Sequence, residues 1–291
     1  MDDIFTKLKQ SYKQGSILTK LIYINVGIFL GIRLFGVICL LFNVPHISLL
    51  DYLELPSSIP DLLHKPWTLV IYMFTHYDIL HVLFNMLWLY WFGTIFLQYF
   101  NARQLGGLYF LGGLAGALFF VLLYNTLPYF EMAVAYSALI GASASVMAIV
   151  FAISFYRKNF EINLLFIGRI KLIYLALATL IIDLLAITSE NAGGHIAHIG
   201  GALLGILFAA RVNKGKDITK PINRLVDFFV NLGKPRPKMH VSYKRSETDY
   251  EYNDRKNKQN EDIDKILEKL KRSGYESLSS EEKKKLFDAS K

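Results

Sequence analysis

Six long, mostly apolar stretches constrain this chain more than any other feature. They run from about Leu18 to Val44, Ile79 to Tyr99, Leu105 to Leu127, Ala138 to Tyr156, Leu172 to Thr188, and His195 to Val212. A helix needs about 20 such residues to cross a bilayer core of about 30 Å. The pattern therefore predicts an all-α polytopic membrane protein with a six-helix membrane domain over residues 18–212. Residues 1–17 are a short N-terminal segment. The first stretch starts too late and is too long for a cleavable signal peptide, so the N-terminus is expected to be retained.

Charge is placed to match. Residues 1–212 hold 12 Lys/Arg and 10 Asp/Glu, whereas residues 213–291 hold 20 and 14. The net charge of +8 belongs mainly to the C-terminal part. This distribution excludes a wholly soluble globular protein and a disordered chain. With one cysteine, Cys39, an intrachain disulfide and a thiol-based metal site are excluded too. Between the stretches, positive charge alternates. Lys7, Lys9, Lys13 and Lys20 precede the first, Arg103 lies between the second and third, and Arg157, Lys158, Arg169 and Lys171 lie between the fourth and fifth. Arg211, Lys214, Lys216 and Lys220 follow the sixth, and the intervening loops carry Lys65 alone. By the positive-inside rule both termini are cytoplasmic. The long first loop, about Pro45 to Asp78, is rich in Leu and is expected to lie in the membrane interface.

Against this apolar background the polar residues stand out, because ionisable groups in a membrane are costly and face the bundle interior. His76, His81 and Asn85 open the second stretch, Ser143 and Ser145 lie in the fourth, Asp183 in the fifth, and His195 and His198 open the sixth. His81 and Asn85 share a helix face at a spacing of four. His198 sits on a stripe of small residues, Gly201, Ala202 and Gly205, that lets a neighbouring helix approach closely. The segment Gly141-Ala142-Ser143-Ala144-Ser145 matches it, so a serine hydroxyl can come within reach of an imidazole base. Taken singly, each residue has a plain reading: a membrane serine bonds back to its own helix, and a lone histidine packs. Their coincidence on the same half of several helices is what points to chemistry. Asp183 reads as a bond across helices, and Arg33 as a residue that snorkels or faces a neighbouring helix. A metal-dependent hydrolase using His76, His81, His195 and His198 lacks an H-E-x-x-H motif and a well-placed acidic partner, so no metal or other cofactor is expected.

The residues that carry this pattern also carry a family resemblance. Trp67-Thr68, Phe74-Thr75-His76, His81 and Asn85-Met86, then Gly112, Gly113 and Gly116, then Gly141-Ala142-Ser143, then Ala197-His198-Ile199-Gly200-Gly201 with Gly205, occur in order. Together they resemble the rhomboid intramembrane serine proteases over residues 15–212. The resemblance implies Ser143 as nucleophile and His198 as base, a dyad with no carboxylate member, so that Asp183 is not part of it. His81 and Asn85 match the side chains that stabilise the oxyanion with the Ser143 backbone N–H. His76 matches a further histidine near the site. His195, one turn before His198, competes as base, and the following Gly-Gly favours His198. Three departures are visible. Ala144 stands where the family commonly has Gly, and Ser145 is expected to face away from the site. Trp67 is followed by Thr68 where many members have Arg. By the same resemblance, the substrates are single-span membrane proteins cut near the outer membrane face, with a bacterial inner membrane as setting. The alternative is an inactive rhomboid-like protein that binds membrane helices.

The remaining chain divides into a polybasic and polar linker, 213–260, and a small helical motif, 261–291. Basic residues across 211–245 predict contact with anionic lipid and, with no supporting motif, not nucleic acid. Ile263, Ile266, Leu267 and Leu270 recur at helical spacing before Gly274, and Ser279 with Glu282 forms a capping-box pattern. Such a two-helix unit is expected to serve as a docking or regulatory element, with a partner that the sequence does not name.

Overall fold

Inside a membrane every backbone N–H and C=O must find its partner within the protein, which the apolar stretches achieve as helices. A computed structural model describes residues 2–43, 49–164, 168–231 and 248–289. It divides into two compact units, Met1–Lys234 and Pro235–Lys291. In the first, α1 (Asp2–Gln14) leads into α2 (Ile17–Leu41), and the loop beyond carries β1 (Leu55–Pro56), α3 (Ile59–His64) and α4 (Thr68–Ile71). Then follow α5 (Ile79–Leu97), α6 (Ala102–Thr126), β2 (Ala138–Leu139), α7 (Ser143–Tyr156), β3 (Glu161–Leu164), β4 (Gly168–Lys171), α8 (Leu172–Leu185), α9 (Ala192–Val212) and α10 (Lys220–Asn231). The second unit holds α11 (Asp249–Ser273) and α12 (Ser280–Ala289).

Among the described residues, α2, α5, α6 and α9 are long and apolar enough to cross a membrane, and α7 and α8 are shorter apolar helices of 14 residues each. The fourth expected span thus needs correction. Its first residues, 138–142, are not helical: Ala138 and Leu139 pair with Pro56 and Leu55, and Gly141 adopts φ +113°. A helix of 14 residues rises about 21 Å, less than the apolar core of a bilayer. Irregular backbone at that depth is tolerated where protein surrounds it, and α7 is surrounded, with every residue from Ala144 to Ser154 buried. The fifth stretch ends early as well, at Leu185 rather than Thr188, while the sixth begins one turn sooner, at Ala192.

Helices α6 and α9 cross α7 on glycine. A Cβ added at Gly201 would overlap the Ala144 carbonyl, and one at Gly205 the Ala148 carbonyl. From the other side, a Cβ at Gly116 would lie 2.5 Å from Ala144 Cβ and one at Gly112 would overlap that of Ala148. Close backbone approach of this kind is how small residues pack membrane helices. Ala144 is buried between these glycine faces.

The first loop is built into the fold rather than resting on its surface. Leu55, Tyr72 and Met73 are fully buried, although Ile59, Leu63 and Trp67 stay exposed. Ser57 donates its hydroxyl to the Val134 carbonyl at 2.8 Å, and Tyr72 donates to the Gly113 carbonyl at 2.6 Å. Trp67 Nε1–H reaches the Tyr52 carbonyl at 2.9 Å, and the buried Thr68 donates to the Lys65 carbonyl at 2.7 Å, which anchors the loop without the missing arginine. Pro45 lies outside the described residues.

The expected 213–260 linker also needs correction. Residues 220–231 form α10, whose Ile222, Leu225, Val226 and Phe229 fall at i, i+3, i+4 and i+7, an apolar stripe that the polar average of the segment conceals. In the second unit α11 starts at Asp249, twelve residues before the expected start of the helical motif, because Thr248 and Glu251 close a capping box. Gly274, at φ +76°, stops α11, and Ser279 and Glu282 cap α12 reciprocally. Ile266 and Leu278 are buried, and Lys269 pairs with Glu282 at 3.0 Å. Of the basic residues expected to meet lipid, Lys234, Arg236, Lys238, Lys244 and Arg245 lie outside the described residues.

Candidate active site

Three helix starts converge on one cavity. Asp78 caps α5 by accepting the backbone N–H groups of Leu80 and His81 at 2.8 and 3.1 Å, which places His81 in the first turn and Asn85 one turn deeper. Gly141 hands its N–H to the Tyr72 carbonyl at 2.9 Å, and α7 begins at once with Ser143 as its first residue. Helix α9 brings His198 in its second turn. Ser143, His198, His81 and Asn85 all line a cavity of about 430 Å³, with Phe84, Trp88, Ile140, Val146 and Met147 as its apolar walls. Ser145 does not line it; its side chain is buried and points elsewhere.

The N-terminus of α7 gives this cavity a particular chemistry. The first N–H groups of a helix have no intrahelical acceptor, and the macrodipole puts partial positive charge there. No side chain caps α7, so the Ser143 N–H is available beside its own hydroxyl. Asn85 spends one amide hydrogen on the His81 carbonyl at 2.9 Å, leaving the other for the cavity. No hydrogen bond joins Ser143 to His198 among the described residues. Such contacts are often long in an enzyme without substrate and tighten on binding.

His76 works from behind. It is fully buried, its Nε2 accepts the Ala142 N–H at 3.3 Å, and its ring meets that of His81 edge-on at 5.0 Å. A Cβ at Gly141 would lie 2.7 Å from the His81 ring, so the left-handed turn that precedes Ser143 admits only glycine. His76 thus fixes the backbone on which Ser143 starts and does not itself line the cavity.

Asp183 departs from the sequence reading. Its Oδ1 accepts from His195 Nδ1 at 2.7 Å and from His198 Nδ1 at 2.9 Å, joining α8 to α9. The bond across helices was expected, but an acidic residue placed to join the histidines was not. Fifteen residues separate Asp183 from His198 across a helix end, a distance over which no periodicity reports contact. His195 is absent from the cavity lining, whereas His198 and Asp183 are part of it. The ligand atoms of Asp183, His195 and His198 lie within 4.8 Å of one another, a grouping able to hold a metal ion. The two contacts are nevertheless hydrogen-bond lengths, shorter than the roughly 3.3 Å between ligands that a tetrahedral zinc with bonds near 2.05 Å sets. Arg33 stacks on the Tyr77 ring at 4.6 Å, and Cys39 is buried in packing. Asn25, which the sequence reading passed over, is buried and donates to the Tyr109 hydroxyl at 3.1 Å, while that hydroxyl donates to the Met73 carbonyl at 2.8 Å. This network ties α2 and α6 to the segment leading to His76.

The chain is 28% identical over 216 residues to the RHOMBOID-like protein 12, mitochondrial, of Arabidopsis thaliana, an alignment covering 71% of this chain and 61% of that protein. The chain thus spans about six tenths of that relative's length. Residues 246–291 match a family of unknown function (DUF6576), which takes in all of α11 and α12. The Rhomboid domain matches residues 63–214, just over half of the chain and the whole of the segment that builds the cavity. With its apolar helix bundle and this match, the chain is an integral multi-pass membrane protein that belongs to the rhomboid family.

Proposed function

We propose that this protein is an intramembrane serine endopeptidase that acts through Ser143 and His198. The observation that carries the reading is the cavity in which Ser143, at an uncapped helix start, shares walls with His198, His81 and Asn85. Ser143 Oγ attacks the carbonyl carbon of a peptide bond as its proton passes to His198. The carbonyl oxygen becomes an oxyanion, met by the Ser143 N–H, the free amide hydrogen of Asn85 and the His81 ring. Collapse of this intermediate breaks the C–N bond, and the proton on His198 leaves with the amine. Water, activated by the same imidazole, then releases the acyl group and restores the serine. Preorganised donors in a largely apolar cavity act on charge that exists only in the transition state, and removing one such donor typically costs about 3 kcal/mol.

The substrates of this reading are single-span membrane proteins, cut where a small residue and a loosely wound helix present a peptide bond. The alternation of Lys and Arg between spans supports six crossings with both termini cytoplasmic and the site toward the other face. On the same reading the apolar stripe of α10 and the basic residues beside it rest on anionic lipid, in a bacterial inner membrane. The test is cleavage of a panel of single-span reporter substrates by purified protein in liposomes. Ser143→Ala and His198→Ala are each expected to abolish cleavage while leaving the fold intact, and a fluorophosphonate is expected to label Ser143. Full activity in Ser143→Ala overturns the assignment. A wild type that neither cuts nor labels favours a rhomboid-like protein that binds membrane helices without cleaving them.

A further inference from the structure

We propose that Asp183 is a positioning residue for His198, so that the site is a three-membered chain, Asp183–His198–Ser143, with His195 as a second donor to the same carboxylate. This rests on the protease reading above. An ionised carboxylate only accepts hydrogen bonds, so the contacts of 2.9 and 2.7 Å require a proton on Nδ1 of both His198 and His195. For neutral His198 this leaves the lone pair on Nε2, the tautomer a base needs in order to take the Ser143 proton. When it does, the new proton sits on Nε2, Nδ1 keeps its own, and the imidazolium stands against the Asp183 carboxylate. No proton moves to Asp183.

Two further observations fit this role. The Asp183 side chain is 6% exposed, and its Oδ2 has no hydrogen-bond partner. A buried carboxylate with no donors is strongly disfavoured in a membrane, and among the described residues its ion-pair partners are the two histidines. His195 therefore gives the carboxylate a second donor beside His198, a role that does not require it to line the cavity. Asp183 also comes from α8, while its partners lie on α9, so the orientation of the base depends on the docking of a separate helix.

The test combines kinetics with a direct view of the imidazole protons. In Asp183→Asn the amide can donate to His198 and turn its proton to Nε2, so kcat is expected to fall by up to about 10⁴-fold, the loss seen when a triad carboxylate is made an amide. KM is expected to stay within about threefold, as a misplaced base should not alter substrate binding. Asp183→Glu is expected to recover part of kcat. In ¹⁵N-histidine-labelled Ser143→Ala protein, nuclear magnetic resonance should show two low-field Nδ1–H protons. Both should be lost in the further Asp183→Asn variant and one with His195→Gln. A folded Asp183→Asn enzyme with wild-type kcat overturns the proposal. If that variant does not fold, an Nε2–H tautomer of His198 in the Ser143→Ala protein overturns it equally. Failure of the protease reading looks different: wild-type protein then neither cuts nor labels, whatever the state of the imidazole protons.

Discussion

Replacing Gly201 with alanine tests whether the crossing of α7 and α9 sets the distance between Ser143 and His198. The added methyl overlaps the Ala144 carbonyl oxygen and stands 2.9 Å from its carbonyl carbon. Non-bonded carbons rest at about 3.5–4.0 Å, so relief takes a retreat of α9 from α7 on the order of 1 Å. Neither side yields easily. Ala144 is buried between Gly116 and Gly201, and Gly200 is itself confined, with a Cβ there 2.7 Å from the Ala115 carbonyl. Overpacking of this kind typically costs about 1–3 kcal/mol. Because Ser143 precedes Ala144 and His198 lies one turn before Gly201, the same retreat separates these two side chains, and on the proposed protease reading a misplacement of about 1 Å costs on the order of 10²-fold in rate. The assay pairs the thermal midpoint of the purified protein with cleavage of a single-span reporter in liposomes. Gly27→Ala is the control, since a Cβ at Gly27 meets nothing within 4 Å. It should raise helix stability by up to about 1 kcal/mol and leave cleavage alone. A Gly201→Ala protein with wild-type midpoint and wild-type kcat would refute the argument that this glycine sets the crossing.

Two other perturbations probe separate parts of the chain. Gly141→Ala forces a non-glycine residue into φ +113° and drives a methyl into the His81 ring. Backbone strain alone is worth about 1–3 kcal/mol, so on the proposed protease reading both thermal midpoint and kcat should drop, and an unchanged kcat would show that this turn does not hold the proposed oxyanion donors. In the C-terminal unit, Thr248→Ala removes one half of the capping box with Glu251. Loss of about 1 kcal/mol is expected, read as faster amide hydrogen exchange over the first turns of α11, with cleavage unaffected.

Much of this architecture was legible in one dimension, for reasons that can be named. Lipid offers the backbone no hydrogen-bond partners, so length and apolarity alone announce the helices, and a scarcity of charge makes each intramembrane polar residue conspicuous. That is how His81, Asn85, Ser143 and His198 stand out. Small residues at i and i+4, such as Gly201 and Gly205, likewise announce a close helix crossing whatever the partner. The stripe in α10 and the capping box at Thr248 were present in the letters too, hidden by the polar average of their segment.

Other features exist only once the chain is packed. That α7 starts at Ser143 rather than near Ala138 follows from the pairing of β2 with β1, more than eighty residues away, which diverts backbone that composition assigns to a helix. That His76 stands behind the site while His198 lines it depends on which way each ring turns between neighbours. Asp183 shows the division most clearly. Its cost in a membrane identifies it as a residue with a purpose. Its partners, however, are set by how α8 docks on α9, because a hydrogen bond of 2.9 Å is a fact about positions in space and leaves no period in the sequence.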